Sequence, residues 1–308
     1  MKSIVGYLRQ YAQSLNLLSF LGITLLSAVL ITLNYTYGIE SGCMDIEHYG
    51  LRFLAFFGVF LFAFGAAWLI QFAAHKKTIR TPPFFWLLLV AGPAIFAAKV
   101  SFDWLTRLFT NPLPDPWDQY GYMVVNWPLK CVLVLGLIAM LWKWGKFGKP
   151  VAGLSAKEFN ATPYFVLLLM MVPLIAFAST QHDFLRTYPK VHRIDFIDPY
   201  VQSGWGYKLL YEISYGIDFL TIETFFRGFL ILAFARYAGK AAILPMAAFY
   251  CAIHFGKPVL ECITSYWGGL ILGAVVYHTR SIWGGLIVHL GIAWLMEIGG
   301  AIGHAYLK

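Results

Sequence analysis

Apolar runs of bilayer-spanning length constrain this chain more than any other feature. Nine can be read, at roughly 16–35, 51–74, 84–100, 128–142, 163–179, 207–237, 241–255, 259–278 and 282–302. A hydrocarbon layer about 30 Å thick is crossed by ~20 apolar residues of helix, and several of these runs approach that length. With 59% hydrophobic and 12% charged residues and a mean hydropathy of +0.67, the chain has too little polar surface to cover a soluble core. The runs are continuously apolar, whereas a membrane barrel would show short alternating segments. The expected fold is all-α, a polytopic transmembrane bundle of eight or nine spans. The count is eight if 84–100, which contains Pro93, is re-entrant.

The net charge of +8 does not point to nucleic acid, because Lys and Arg collect in loops. His75, Lys76, Lys77 and Arg80 form one cluster, and Lys143, Lys146, Lys149 and Lys157 another. The loops at 36–50 and 101–127 carry acids instead. By the positive-inside rule this pattern, with Lys2 and Arg9, places the N-terminus on the cytoplasmic side. The apolar stretch from about Leu17 to Leu33 has no small-residue cleavage site after it and reads as a retained first span. Cys43, Cys131, Cys251 and Cys262 show no CxxC spacing, so neither a disulfide framework nor a cysteine zinc site is indicated. The polar stretch 180–206 reads as a surface loop, with a lid over a membrane site as the alternative. The run 207–237 would be roughly 46 Å long as one helix at ~1.5 Å per residue, so it must tilt, project or break, and Gly216 is the candidate break.

Ionisable residues inside apolar runs cost about 2.5–3.5 kcal/mol each on insertion scales and need a reason to be there. They concentrate in the last hundred residues: Glu212, Asp218, Glu223, Arg227, His254, Glu261, His289 and Glu297. This divides the chain into an N-terminal transmembrane region, 1–180, without an assigned role and a C-terminal core, 181–308. Glu223 and Arg227 are i and i+4, neighbours on one face of an α-helix. A carboxylate with two imidazoles is a useful set: one group takes a proton from water while another positions it or holds a developing oxyanion. Two His and one Glu can also ligate zinc, but the His-Glu-x-x-His spacing is absent. For each residue a bland reading competes. Glu223 with Arg227 can be a self-satisfying buried pair, His254 an interfacial helix-end histidine, and His289 a hydrogen-bonded core histidine.

The order Glu-x-x-x-Arg in TIETFFRGFL, Tyr-x-x-x-His in YCAIH and a late His in SIWGGLIVH resembles the CAAX-protease and bacteriocin-processing family of membrane proteases. These are the type II CAAX prenyl endopeptidases and their bacterial Abi relatives. The resemblance covers about 207–300. It implies an intramembrane endopeptidase in which Glu223, His254 and His289 are catalytic and Arg227 orients the carboxylate. Two positions depart from the family pattern of Glu-Glu-x-x-x-Arg, Phe-x-x-x-His and His-x-x-x-Asn/Asp. Ile222 stands where the family has its first Glu, the expected water-activating base, and Ala293 stands where it has Asn or Asp. Glu261 and Glu297 are candidate replacements for the lost polar groups.

Three functions stay open. The first is a glutamate-type, metal-independent endopeptidase that hydrolyses a peptide bond of a membrane-associated substrate with a Glu/His-activated water. The second is a catalytically inactive scaffold or binding protein of the same fold. The third is a path for an ion or small solute. No cofactor is expected, with a divalent metal such as zinc as the alternative. The expected partners are a membrane-associated peptide or protein and the bilayer, with no nucleic acid. The substrate, its prenylation, the oligomeric state and the source organism are not legible.

Overall fold

The computed structural model describes residues 2–75, 78–156 and 160–306. Lys76, Lys77 and Lys157 of the basic clusters lie outside the described residues. The helices in chain order are α1 (Lys2–Ser14), α2 (Leu17–Tyr37), α3 (Ile39–Met44), α4 (Tyr49–Ala74), α5 (Pro83–Ser101), α6 (Trp104–Thr110) and α7 (Trp117–Trp144). They continue as α8 (Thr162–Ala178), α9 (His182–Thr187), α10 (Trp205–Glu223), α11 (Leu232–Ala238), α12 (Ile243–Ala252), α13 (Val259–Thr279) and α14 (Trp283–Tyr306). Three 3-10 segments (Val151–Gly153, Lys190–Tyr200, Gly239–Ala242) and one π-helical segment, Thr224–Ile231, join them. Among the described residues there is no strand.

Local chemistry sets several ends. The Asn16 side chain accepts from the Ser19 N–H at 3.1 Å and starts α2, and Gly38, in the left-handed region at φ 64°, stops it. The His48 ring nitrogen accepts from the Leu51 N–H at 3.3 Å at the start of α4.

Among the described residues, six helical stretches are long and apolar enough to cross a membrane, or seven if the pair Thr162–Ala178 and His182–Tyr200, bent by 98°, makes one span. The expectation of eight or nine spans is therefore too high. The run 207–237 is divided into α10, the π segment and α11, and α10 carries Lys208, Glu212, Asp218 and Glu223. The run 241–255 yields only the ten-residue α12. Gly216 is not the break either: α10 passes through it as regular helix, and the departure comes at Thr224.

The chain forms two compact units, each assembled from three stretches. The first comprises Met1–Phe102, Gly136–Lys157 and Thr224–Ile282. In it α12 packs against α2, α4 and α13, and α4 also packs against α5. The centre is aromatic: Phe60, Phe64 and Trp68 of α4, Phe85 and Phe96 of α5, Phe225 and Phe226 of the π segment, Phe234 and Phe249 meet ring to ring at 4.9–6.2 Å. Each such pair contributes about 0.5–1.5 kcal/mol beyond its buried area. Polar ties fix the ends: Asn34 Nδ2 donates to the Phe255 carbonyl, and Gln71 Nε2 to the Ala241 carbonyl, both at 2.9 Å.

The second unit comprises Asp103–Leu135, Glu158–Glu223 and Trp283–Lys308. There α14 packs along α8 and against α10. The stretch 180–206 is more structured than a surface loop. Its 3-10 segment lies on α10 with Ile194 and Ile197 buried, packed with Tyr120 and Tyr211.

Candidate active site

In the second unit, Glu223 and His289 meet. His289 Nδ1 lies 2.9 Å from Glu223 Oε1, so the ring N–H donates to the carboxylate. Glu223 is the last residue of α10 and His289 sits in the second turn of α14. The Glu223 side chain is 0% exposed and that of His289 16% exposed. A fully buried carboxylate costs several kcal/mol without a partner, and here the imidazole supplies one. The Phe219 ring, one helical turn before Glu223, stands edge-on to the His289 ring at 4.7 Å and 79°. It limits how the imidazole can turn.

The two glycines of SIWGGLIVH have separate physical reasons. A Cβ at Gly284 would overlap the Tyr164 ring of α8, and one at Gly285 would overlap Glu223 Oε2. The second contact makes Gly285 part of the carboxylate's seat: any side chain there displaces Glu223.

The departures from the family pattern are packed rather than replaced. Ile222 and Ala293 are both buried, and Ala293 sits among Tyr215, Phe219, Leu286 and Leu290. Ala293→Asn would place an amide in that apolar cluster, and an unpaired buried amide costs ~1–3 kcal/mol. The variant is expected to unfold several degrees below wild type in a thermal melt of detergent-solubilised protein.

Glu297 lies two turns beyond His289. Its Oε2 accepts from the Val191 N–H at 3.2 Å, at the start of the Lys190–Tyr200 segment. Sequence reasoning placed Glu297 near the lost polar groups of the site. That bond ties Glu297 to this strap, where Lys190 also lies over the Tyr215 ring at 4.6 Å.

In the first unit, two residues of the motif, Arg227 and His254, meet the ring of a third, Tyr250. The Arg227 guanidinium lies 3.8 Å from the Tyr250 ring centroid, the short end of the cation–π range. The His254 ring is 4.6 Å from the other side chain of that motif, Tyr250, and its Nδ1–H donates to the Tyr250 carbonyl at 2.8 Å. Tyr250, where the family has Phe, is thus the platform for both. Arg227 belongs to the π-helical segment, whose wider turns replace the α-helical i, i+4 spacing assumed from sequence. Glu261, in the first turn of α13, makes an i, i+4 ion pair with Lys257 at 3.0 Å.

Among the described residues, no group of three or more His, Cys, Asp or Glu side chains is placed to hold a metal ion. The Glu223–His289 pair offers two ligands, short of the three protein ligands of a catalytic zinc site.

Phe219 and Gly285 were not singled out from sequence as site components, and Tyr250 was read only as a motif position, not as a platform for Arg227 and His254. Phe219 had a readable signal, since it lies four residues before Glu223 on an α-helix. Gly285 had none beyond its place before His289.

Neither a curated protein nor a solved structure matches the chain. Residues 209–295 match a family model described as Type II CAAX prenyl endopeptidase Rce1-like, a segment that contains Glu223, Arg227, Tyr250, His254 and His289. With its long apolar helices, the protein is an integral membrane protein, and its residues 209–295 are similar to the Rce1-like type II CAAX prenyl endopeptidase family.

Proposed function

We propose that the protein is an intramembrane endopeptidase in which the Glu223–His289 pair activates water for hydrolysis of a peptide bond in a membrane-associated substrate. The observation that carries this reading is the 2.9 Å contact between a fully buried carboxylate and a partly exposed imidazole. Exposure divides the roles: water meets His289 sooner than Glu223. With Nδ1–H donated to Glu223, the neutral ring has its lone pair on Nε2, the atom that takes a proton from water. The hydroxide oxygen bonds to the scissile carbonyl carbon. The imidazolium so formed is held by the Glu223 carboxylate. Collapse of the tetrahedral intermediate breaks the C–N bond, and Nε2–H returns the proton to the leaving amine. The division resembles the base and orienting acid of a hydrolase triad, with water in place of a side-chain nucleophile. The family resemblance assigns His254 to the same reaction, with a neutral tautomer supported by its bond to the Tyr250 carbonyl.

This chemistry requires no metal. The test uses detergent-solubilised protein with a library of C-terminal peptides, lipidated and unlipidated, and reads the products by mass spectrometry. Cleavage is expected to persist in a strong chelator. Cleavage lost on chelation and restored by zinc would overturn the metal-independent mechanism. The second reading, an inactive binding protein, draws on buried Ile222 and Ala293 and is supported if no peptide is cut by a folded wild type.

A further inference from the structure

At one end of the first unit, cations from separate helices converge on a cavity. Lys146 and Lys149 follow α7, Arg236 lies in the last turn of α11, and Arg280 follows α13. These four line a cavity of about 520 Å³ together with Trp142, Phe147 and Leu232, and among the described residues no carboxylate lines it. The volume falls within the range of small-molecule sites, ~300–1,000 Å³. Among the described residues, none of the four makes an ion pair.

Helix ends account for only part of this. Carbonyls at a helix C-terminus attract cations, and Arg236 serves in that way: it donates to the carbonyls of Gly145 at 2.8 Å and Lys146 at 3.3 Å, over the Phe147 ring. It forms part of the wall. Among the described residues the side chains of Lys146, Lys149 and Arg280 donate to no carbonyl, and Arg280 lies over the Tyr277 ring at 5.3 Å. Two of them, Lys146 at φ 50° and Arg280 at φ 55°, hold left-handed backbone that costs a non-glycine residue about 1 kcal/mol or more. At Arg280 this conformation also ends α13, with the Arg280 N–H donating to the Val276 carbonyl at 2.8 Å. The loop that carries Lys146 and Lys149 is held in place, since Trp142 Nε1 donates to the Gly148 carbonyl at 2.8 Å. Arg236 also lines a second cavity of about 440 Å³ with Arg80 and Tyr237, so the positive field continues beyond the first.

We propose that this cavity is a binding site for a phosphate group. Guanidinium and ammonium groups around a cavity that no described carboxylate lines suit a phosphate's oxygens. The apolar lining of Trp142, Phe147 and Leu232 suits a ligand with a hydrocarbon part, and the basic loops of a membrane protein lie at the level of lipid head groups. An anionic phospholipid is therefore the favoured source, with a free phosphate as the other. The site is independent of the peptidase reading.

The test measures binding of short-chain phosphatidic acid to solubilised protein by tryptophan fluorescence, with phosphatidylcholine of the same chains as reference. The double variant Lys149→Gln/Arg280→Gln is expected to weaken phosphatidic acid binding by ~10-fold or more. Lys143→Gln, an exposed lysine that does not line the cavity, is expected to leave it unchanged. Thermal melts confirm that both variants are folded. Displacement of the lipid by millimolar inorganic phosphate identifies a site for phosphate itself, while failure to displace identifies the lipid as the source. Equal binding of phosphatidylcholine, or an equal loss in Lys143→Gln, overturns the proposal in favour of general surface charge.

Discussion

Glu223→Gln is expected to reduce peptide-bond hydrolysis by ~10²–10⁴-fold while leaving the protein folded and inserted. The amide keeps the shape of the side chain and an oxygen for the His289 N–H, but it removes the charge that holds the imidazolium. His289→Asn completes the pair of variants. Asn keeps a donor near the position of Nδ1, so Glu223 retains a partner, and the base is gone. Each variant alone is expected to lose about as much as Glu223→Gln/His289→Asn together, because groups that act as one unit are not additive. Rates that fall in each single variant and multiply in the double would contradict a shared proton path. Folding is checked by thermal melting, and alanine is avoided at His289 because it would take a hydrogen-bond donor from the buried Glu223 carboxylate.

The second large effect is on assembly. Gly228→Val is expected to abolish accumulation of inserted protein or to lower its melting point by many degrees. A Cβ at Gly228 would strike the Ala152 carbonyl oxygen. The obstacle cannot withdraw, because the 151–153 turn is held from its other side. The Ile282 N–H donates to the Gly153 carbonyl at 3.1 Å and Ser281 Oγ to the Ser155 carbonyl at 2.8 Å. Overpacking of a well-filled interior costs ~1–3 kcal/mol, and more when the opposing atoms are backbone. Gly58, which has open space around its Cβ position, is the matched control: Gly58→Ala should be neutral within ~0.5 kcal/mol or slightly stabilising. Equal behaviour of Gly228→Val and wild type in melts would refute the close contact with Ala152.

Helix class and membrane character were legible because they depend on composition over windows of ~20 residues, which the apolar runs of this chain supply in plain view. Span count was less so. Windowed hydropathy runs straight through Glu223, Arg227 and Gly228, and nothing in TFFRGFLI announces a π turn. That turn is set by tertiary packing, with Phe225 and Phe226 against Phe96 and Phe249 and Gly228 against Ala152. The proximity of Glu223 and His289, 66 residues apart, could not come from periodicity. The order of motifs suggested it, and the structure gives the contact and its direction. Glu297 is the opposite case. Helical spacing set it on the face of His289, but its partner Val191 lies 106 residues away in a strap whose fold has no periodic signature.

The measurement that bears most directly on the central proposal compares new protein termini in membranes from cells expressing wild type, Glu223→Gln or His289→Asn at matched levels. Termini are mapped by mass spectrometry. The account predicts a set of membrane-associated fragments present with wild type and absent with both variants. Identical termini in all three, with every protein folded and inserted, would contradict hydrolysis by the Glu223–His289 pair and leave the protein a binding member of its fold.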